Sequence, residues 1–319
     1  MKLIVSLLIL AIALYCRCIS SSKLKLVQIV HRHGDRTPYV FYPNDQYKNL
    51  SYWPDGEGQL NIKGKQRMYE LGLRLRKDYS DFIGNPCNPR EILIRSSASD
   101  RCIESASALI SALCPPTGRW IWCNDATCNS ITKYWQPISI QTVEKAKDKL
   151  LNPFADCKVG DEAVTEIVKS KEVQDYLKEN KEFVDKVGEV TGSKKRFGET
   201  TTLWELMDIA DTIMVERENG KDLTQFQKQF GKFESDVFEK LDEISLKAFK
   251  WEYSTKTVQR LRAGPLLGKL LYNIKNFQDG NEPRKLFFYS THDSMLVAVL
   301  QALGIYNGKP PSYGEGIIF

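Results

Sequence analysis

Histidine is scarce in this sequence, which has three among 319 residues. Two of them, His31 and His33, lie in the segment HRHGDRTP at residues 31–38, and the third, His292, is followed by Asp293. Metal centres built on several imidazole ligands need more histidines than this, so the scarcity argues against them. Chemistry that depends on an imidazole is thereby confined to two short segments.

Long apolar runs and blocks of like charge are also missing after residue 20. No later stretch approaches the roughly 20 apolar residues that a membrane-spanning helix needs. The 45 basic and 40 acidic residues are interleaved, so the net charge of +5 forms no stripe of the kind that binds nucleic acid. With 42% hydrophobic residues the chain can bury a sizeable core. We therefore expect a globular protein with no stable membrane span and no nucleic-acid partner.

The N-terminus carries the one long apolar run. Lys2 precedes residues 3–14, whose only polar member is Ser6, and small or polar residues follow at 19–22. This run is too short to cross a bilayer comfortably, and its length and order are typical of a secretory signal peptide. We expect residues 1–20 to be that signal peptide and residues 21–319 to form a secreted or lysosomal protein.

Cysteine use fits an exported chain. Two of the eight cysteines, Cys16 and Cys18, lie in or near the predicted signal peptide. An even number remains, which predicts disulfides whose connectivity the sequence leaves open. The pair at 123 and 128 has the spacing of a metal clip, but no second pair or nearby histidine completes a zinc site. Asn49 begins an N-glycosylation sequon, expected on an exposed loop of a glycoprotein. The remaining cysteines are Cys87, Cys102, Cys114, Cys123, Cys128 and Cys157.

Strand-like and helix-like patterns alternate in the two ends of the chain. Apolar, strand-like runs at residues 24–30, 91–95 and 285–289 are each followed by an amphipathic or apolar helical pattern. Such alternation predicts an α/β fold with a largely parallel sheet, in which ligands bind outside the carboxyl ends of the strands. Residues between about 114 and 251 instead contain cysteine-rich loops and charged helical stretches, which predicts an inserted helical cap.

The candidate site residues all follow predicted strands. His33 follows the first strand, Arg101 the second, and His292 with Asp293 the third, so three separate segments should meet in one crevice. In the first segment, Arg32 and Arg36 place two guanidiniums beside the imidazole of His33. Guanidiniums match the oxygen pattern of a phosphate, and a neutral imidazole can attack phosphorus. The sequence therefore predicts a phosphate-handling site.

Three segments resemble the signature of the histidine acid phosphatase family: RHGDRTP at 32–38, SASDR at 97–101 and THD at 291–293. Further blocks similar to the family occur at 42–45 and 264–266, so the resemblance covers most of the chain after the signal peptide. It implies a three-layer, phosphoglycerate mutase-like α/β fold with a smaller inserted helical cap. The boundaries expected for this histidine phosphatase domain are 21–115 and 252–319 for the α/β core and 116–251 for the cap.

The resemblance also implies a mechanism. His33 would form a covalent phosphohistidine, and Asp293 would protonate the leaving alcohol of a small phosphomonoester. A carboxylic acid donor favours an acid pH optimum, and no metal or other cofactor is expected. A homodimer is left open. The residues expected to bind the phosphate are Arg32, Arg36, Arg101 and His292.

Other functions stay open at this point. A phytase or another inositol-phosphate phosphatase of the same fold is one alternative, and a catalytically weak, secreted binding protein is another. A metallohydrolase would use His31, His33 and Asp35 as the start of an HxHxDH pattern, but Arg36 stands where that pattern needs a histidine. His31 and Asp35 are therefore predicted to have packing and supporting roles. Cys102 directly follows Arg101, and a disulfide there would fix or displace that arginine.

Overall fold

The structure is a computed structural model and describes residues 23–319, except 124, 126, 127, 129 and 194–201. The predicted signal peptide at residues 1–20 lies outside the described residues. Asn49 of the sequon is exposed, as expected. In the part of the chain that is described, no helix combines the length and apolar character that crossing a bilayer requires.

A five-stranded, mostly parallel sheet forms the centre of the fold, which confirms the predicted α/β class. The strand order is β3-β2-β4-β1-β5, and the first four strands run parallel while β5 pairs antiparallel with β1. Every residue of β1 and β4 is buried, because helices cover both faces of a parallel sheet. The strands are β1 Val27–Arg32, β2 Ile92–Ser96, β3 Ile140–Gln141, β4 Leu286–Thr291 and β5 Gly316–Ile318.

Twelve α-helices form among the described residues. The side chain of Asn61 accepts a hydrogen bond from the backbone N–H of Gly64 and caps α1. The helices are α1 Ile62–Asp78, α2 Ser80–Ile83, α3 Asp100–Leu113, α4 Lys158–Val168, α5 Lys171–Glu179, α6 Lys181–Thr191, α7 Leu203–Glu218, α8 Thr224–Lys228, α9 Val237–Glu252, α10 Lys256–Arg262, α11 Gly264–Gln278 and α12 Asp293–Ala302.

Alternating residues of the strands separate two hydrophobic clusters. Ile29 of β1 and Phe288 of β4 point to one face and pack with α1 and α3, where Met68 and Leu109 are buried. The intervening residues, such as Phe287, point to the other face and join a larger cluster with α11 and α12. The helix–sheet–helix arrangement is therefore three-layered, as expected.

The helices α4 to α9 lie within the range predicted as a cap, except for Glu252 at the end of α9. Their buried residues, such as Leu206 of α7 and Leu241 of α9, belong to the same hydrophobic cluster as Phe287 of the sheet. One short segment of that range belongs to the sheet itself, because β3 pairs with β2. A two-residue strand has too little periodicity to be recognised in a sequence. The division of the chain into a core and an inserted cap stays a prediction.

Four of the cysteines form the pairs Cys87–Cys114 and Cys123–Cys128, which agrees with the predicted presence of disulfides. The hypothesis of a disulfide at Cys102 is wrong, since this thiol is free and fully buried. It lies on the inner side of α3, where its Sγ is 3.5 Å from the carbonyl oxygen of Thr291. Burial makes a cysteine behave as a small hydrophobic residue, so an even cysteine count did not require it to be paired.

A buried pair of acidic side chains gives the fold an expected pH dependence. Glu216 of α7 is fully buried near Asp45, and burial together with that second carboxyl raises the pKa of Glu216 from 4.5 to about 9. The folded state therefore holds a proton that the unfolded chain releases above about pH 4.5. The contribution of Glu216 to the stability of the fold should consequently decrease as the pH rises between these two pKa values.

The buried, neutral histidines add stability as the pH rises through their ordinary pKa of 6.5, so the effect of Glu216 is measured above that pH. We expect the free energy of unfolding, measured with a chemical denaturant, to fall by on the order of 2 kcal/mol between about pH 7 and pH 9. Glu216→Gln, which mimics the protonated acid, should reduce this slope. Glu234→Gln on the surface serves as the matched control and should leave the slope unchanged. An equal slope in all three proteins would contradict the assignment of the proton to Glu216.

Candidate active site

The six predicted site residues come together in one cavity of about 550 Å3 at the carboxyl ends of the parallel strands. His33 directly follows β1, His292 directly follows β4, and Arg101 lies in the first turn of α3 behind β2. The parallel register aligns the ends of these strands, so their flanking residues meet. The lining of this cavity includes all six predicted residues, Arg32, His33, Arg36, Arg101, His292 and Asp293.

The imidazole of His33 is held in one orientation by contacts at both of its nitrogen atoms. Its Nδ1 lies 2.8 Å from the carbonyl oxygen of Gly34, which can only accept a hydrogen bond, so Nδ1 carries the proton. Its Nε2 accepts a hydrogen bond of 3.1 Å from Nε of Arg101. Burial first, and then the charge of Arg101, lower the pKa of His33 well below its ordinary value. The ring is therefore neutral, with the lone pair on Nε2.

Arg101 connects the two imidazoles. Its Nη2 lies 3.3 Å from Nδ1 of His292, and since a guanidinium only donates, Nδ1 of His292 accepts. Burial and then the charge of Arg101 lower the pKa of His292 to about 3, so this ring is neutral too. Its Nε2 lies 3.1 Å from the hydroxyl of Ser97, which can accept or donate. The expected donation from His292 to a phosphate would require the proton to be on Nδ1 and Ser97 to donate to Nε2.

Arg32 and Arg36 are each bound to a carboxylate. Nη2 of Arg32 lies 2.7 Å from Asp293, and Nη2 of Arg36 lies 2.7 and 2.9 Å from the two oxygens of Asp211. Both guanidiniums are almost fully buried, yet among the described residues neither Nε–H finds a hydrogen-bond acceptor. An unpartnered buried donor is costly, so two of them beside one cavity indicate a site for an anionic oxygen.

Asp293 is ionised in this arrangement. Burial favours the neutral acid, but the charges of Arg32 and Arg36 are the main interactions that outweigh burial, so the pKa of Asp293 lies below its ordinary value. Its Oδ1 also accepts a hydrogen bond of 2.7 Å from the backbone N–H of Ser294 in the first turn of α12. The position of this carboxylate is thus fixed from two sides.

Comparison with known proteins decides the family. Residues 23–315 match the family described as the histidine phosphatase superfamily (branch 2). The chain belongs to this superfamily.

Relatives and solved structures of the superfamily cover most of the chain. Prostatic acid phosphatase of Rattus norvegicus is 34% identical over 297 residues, which are 92% of this chain and 74% of that protein. Lysosomal acid phosphatase of Homo sapiens is 31% identical over 297 residues, 93% of this chain and 66% of that protein. The phytase of Citrobacter braakii superposes with a TM-score of 0.62 at 20% identity, covering 93% of this chain and 81% of that one, and so has the same fold.

Several site residues of this superfamily member were not predicted. Asp211 binds Arg36 from α7, 175 positions away in the sequence, and no local pattern connects the two. Tyr313 stacks on Arg32, whose guanidinium carbon is 4.0 Å from the ring centre. Ser105 differs in having a local sequence signal, because it lies one helical turn after Arg101. Its hydroxyl accepts a 3.0 Å hydrogen bond from the N–H of Gly34.

The hypothesis of an HxHxD metal site at residues 31–35 is not supported by the geometry. The carboxylate of Asp35 lies 3.1 Å from Nη2 of Arg67 and 3.3 Å from Nζ of Lys63. Both of these residues belong to α1, so Asp35 holds the loop after β1 against that helix. His31 is fully buried and lines a different cavity from that of His33. In the part of the chain that is described, the one group of side chains close enough to bind a metal ion contains two cysteines that form a disulfide, Cys123 and Cys128 with Asp125.

Proposed function

We propose that this protein is an acid phosphatase that hydrolyses phosphate monoesters through a covalent phosphohistidine on His33. The observation that carries the proposal is the fixed, neutral imidazole of His33, whose Nε2 lone pair faces the half-buried guanidinium of Arg101 beside the buried guanidiniums of Arg32 and Arg36. Attack by Nε2 forms an N–P bond while the P–O bond to the alcohol breaks. Arg32, Arg36 and Arg101 stabilise the negative charge on the phosphoryl oxygens in that step.

Asp293 is proposed to supply the proton to the leaving oxygen. A phosphate ester bound to Arg32 brings negative charge beside Asp293, offsets the field of the guanidinium, and so raises the pKa of this carboxyl. The alcohol leaves with the proton of Asp293. In the second step, water attacks phosphorus, the N–P bond breaks, and Asp293 accepts a proton from the water, which returns His33 to its neutral form.

The histidine environment supports an acid pH optimum. At pH 5 an ordinary imidazole is mostly protonated and cannot attack phosphorus. The pKa of His33 is lowered by burial and by Arg101, so this imidazole keeps its lone pair in acid. A secreted or lysosomal location and a signal peptide at residues 1–20 belong to the same proposal, since the named relatives include prostatic and lysosomal acid phosphatases. The homodimer stays a prediction.

An inositol polyphosphate is a less suitable substrate for this cavity. Its lining contains five basic and six acidic side chains, and a substrate with several phosphates needs an excess of basic groups. The basic residues are Arg32, Arg36, Arg101, Lys145 and Arg262, and the acidic residues are Asp161, Asp208, Asp211, Asp242, Glu252 and Asp293.

The proposed activity is tested with p-nitrophenyl phosphate at about pH 5, where a carboxylic acid donor can act. We expect hydrolysis by the purified protein, at a rate that excess EDTA leaves unchanged. Loss of the activity in EDTA would instead favour a metallohydrolase. No hydrolysis by correctly folded protein, judged by cooperative thermal unfolding, would favour the binding-protein alternative.

A further inference from the structure

One face of α7 forms a wall of the catalytic cavity. Trp204, Met207, Asp208 and Asp211 all line it, and their spacing of three and four positions places them on the same side of the helix. Trp204, Met207 and Asp208 are partly exposed, whereas neighbours such as Leu206 are buried. The wall begins at Asp211, which binds Arg36, and extends about 10 Å along the helix axis to Trp204. It is therefore in reach of the alcohol part of a bound ester.

The charge on this wall is concentrated at Asp208. Asp211 is neutralised by Arg36, and Asp242 on the neighbouring α9 pairs with Arg217 at 3.2 Å. Among the described residues, Asp208 makes no ion pair, and its carboxylate accepts a hydrogen bond from the hydroxyl of Tyr39. Burial raises the pKa of Asp208, and in its ionised form this carboxylate attracts a cation and repels an anion.

The aromatic ring beside Asp208 strengthens this preference. Trp204 lies one helical turn before Asp208 on the same face, and the face of an indole ring attracts quaternary and primary ammonium groups. At the other end of the cavity, the unpartnered Nε–H groups of Arg32 and Arg36 can bind an anion. The cavity thus offers an anion site and, along α7, a site for a cation attached to an apolar body.

We propose that the α7 wall is the leaving-group subsite, and that Asp208 and Trp204 make the enzyme prefer phosphomonoesters of amino alcohols over neutral or polyanionic esters. This inference rests on the proposed phosphatase function, with the phosphate at His33. An ammonium group two or three bonds from the ester oxygen would lie between the indole and the carboxylate. A second phosphate at the same place would face Asp208 and be repelled.

Two substrates of the same shape test the preference. Phosphocholine and 3,3-dimethylbutyl phosphate differ by one charge, since a carbon atom replaces the quaternary nitrogen. We expect kcat/KM of the wild-type protein to be roughly tenfold higher for phosphocholine. This ratio is what one partly screened charge contact and one cation–π contact should produce together. Asp208→Asn should bring this ratio close to one. Because the ratio is taken within one protein, partial unfolding of the variant cancels.

Asp242→Asn is the matched control, because it removes a carboxylate from the same cavity that already has Arg217 as its partner. It should keep the wild-type ratio. Three results would overturn the inference while leaving phosphatase activity established. They are an equal loss of the ratio in both variants, a wild-type ratio near one, and a higher kcat/KM for myo-inositol hexakisphosphate than for phosphocholine. If neither ester nor p-nitrophenyl phosphate is hydrolysed, the proposed function itself fails.

Discussion

Replacement of His33 by alanine is expected to lower kcat for p-nitrophenyl phosphate by about 10⁴-fold or more, the usual cost of removing a covalent nucleophile. The side chain is buried, and its Nδ1 is fixed by Gly34 while its Nε2 faces Arg101. His292 also accepts a hydrogen bond from Arg101 through its Nδ1, but its Nε2 contacts the hydroxyl of Ser97. In His33, by contrast, the carbonyl oxygen of Gly34 fixes which nitrogen carries the proton. Steady-state hydrolysis at about pH 5 measures the loss.

His31→Asn is the matched control for this experiment. His31 is also a buried histidine, two positions away, but it lies outside the catalytic cavity. We expect this variant to be less stable and to keep most of its activity per folded molecule. Trapping on rapid denaturation should give a base-stable, acid-labile phosphoryl group on wild-type protein and none on His33→Ala. A phosphorylated His33→Ala protein, or a variant that keeps its activity, would contradict the role of His33.

The sequence predicted which segments of the chain form the site because the relevant signals are local. A strand of six residues, a turn and a helix can be recognised from neighbouring residues, and His33 and His292 each follow such a strand. The position of Arg101 in the first turn of α3 follows from the same kind of pattern. In a parallel sheet, the carboxyl ends of strands meet, so convergence of the three segments could be inferred without coordinates.

The electrostatics of the site could not be inferred in this way. Asp211 lies 175 positions from Arg36 in the sequence and neutralises it from α7. No sequence pattern near either residue indicates this pair. The sequence also suggested a carboxylic acid near its ordinary pKa at Asp293, whereas Arg32 lies 2.7 Å from it and the pKa is lowered. Such shifts depend on burial and on the distances between charges, which are properties of the folded chain.

The pairing of arginines with carboxylates has a consequence for catalysis. Arg32 and Arg36 are held in place by Asp293 and Asp211, so little side-chain entropy is lost when a phosphate binds. The two pairs differ in their geometry, and we propose that they differ in their roles. Both oxygens of Asp211 contact Nη2 of Arg36, which fits an anchor, whereas Asp293 contacts Arg32 through one oxygen and is proposed to take up a proton when the phosphate shares that arginine.

Asp293→Asn is expected to reduce kcat in proportion to how much the leaving group needs a proton. For an alkyl phosphate such as glycerol 2-phosphate, the loss should be on the order of 10²- to 10⁴-fold, the range for removal of a general acid. For p-nitrophenyl phosphate, whose leaving group departs readily as an anion, the loss should be about tenfold or less. The substitution preserves shape, and the amide oxygen can still accept the hydrogen bond from the N–H of Ser294.

Binding of inorganic phosphate separates this role from a structural one. The amide side chain that Asp293→Asn introduces carries no negative charge against Arg32, so the inhibition constant for phosphate should be unchanged or lower in this variant. A collapsed site would instead bind phosphate weakly and lose activity equally with both esters. Equal losses with the alkyl and the aryl ester, at unchanged phosphate binding, would assign the proton transfer to another group. A loss confined to the alkyl ester, with phosphate still bound, is the result that only a proton donor at position 293 explains.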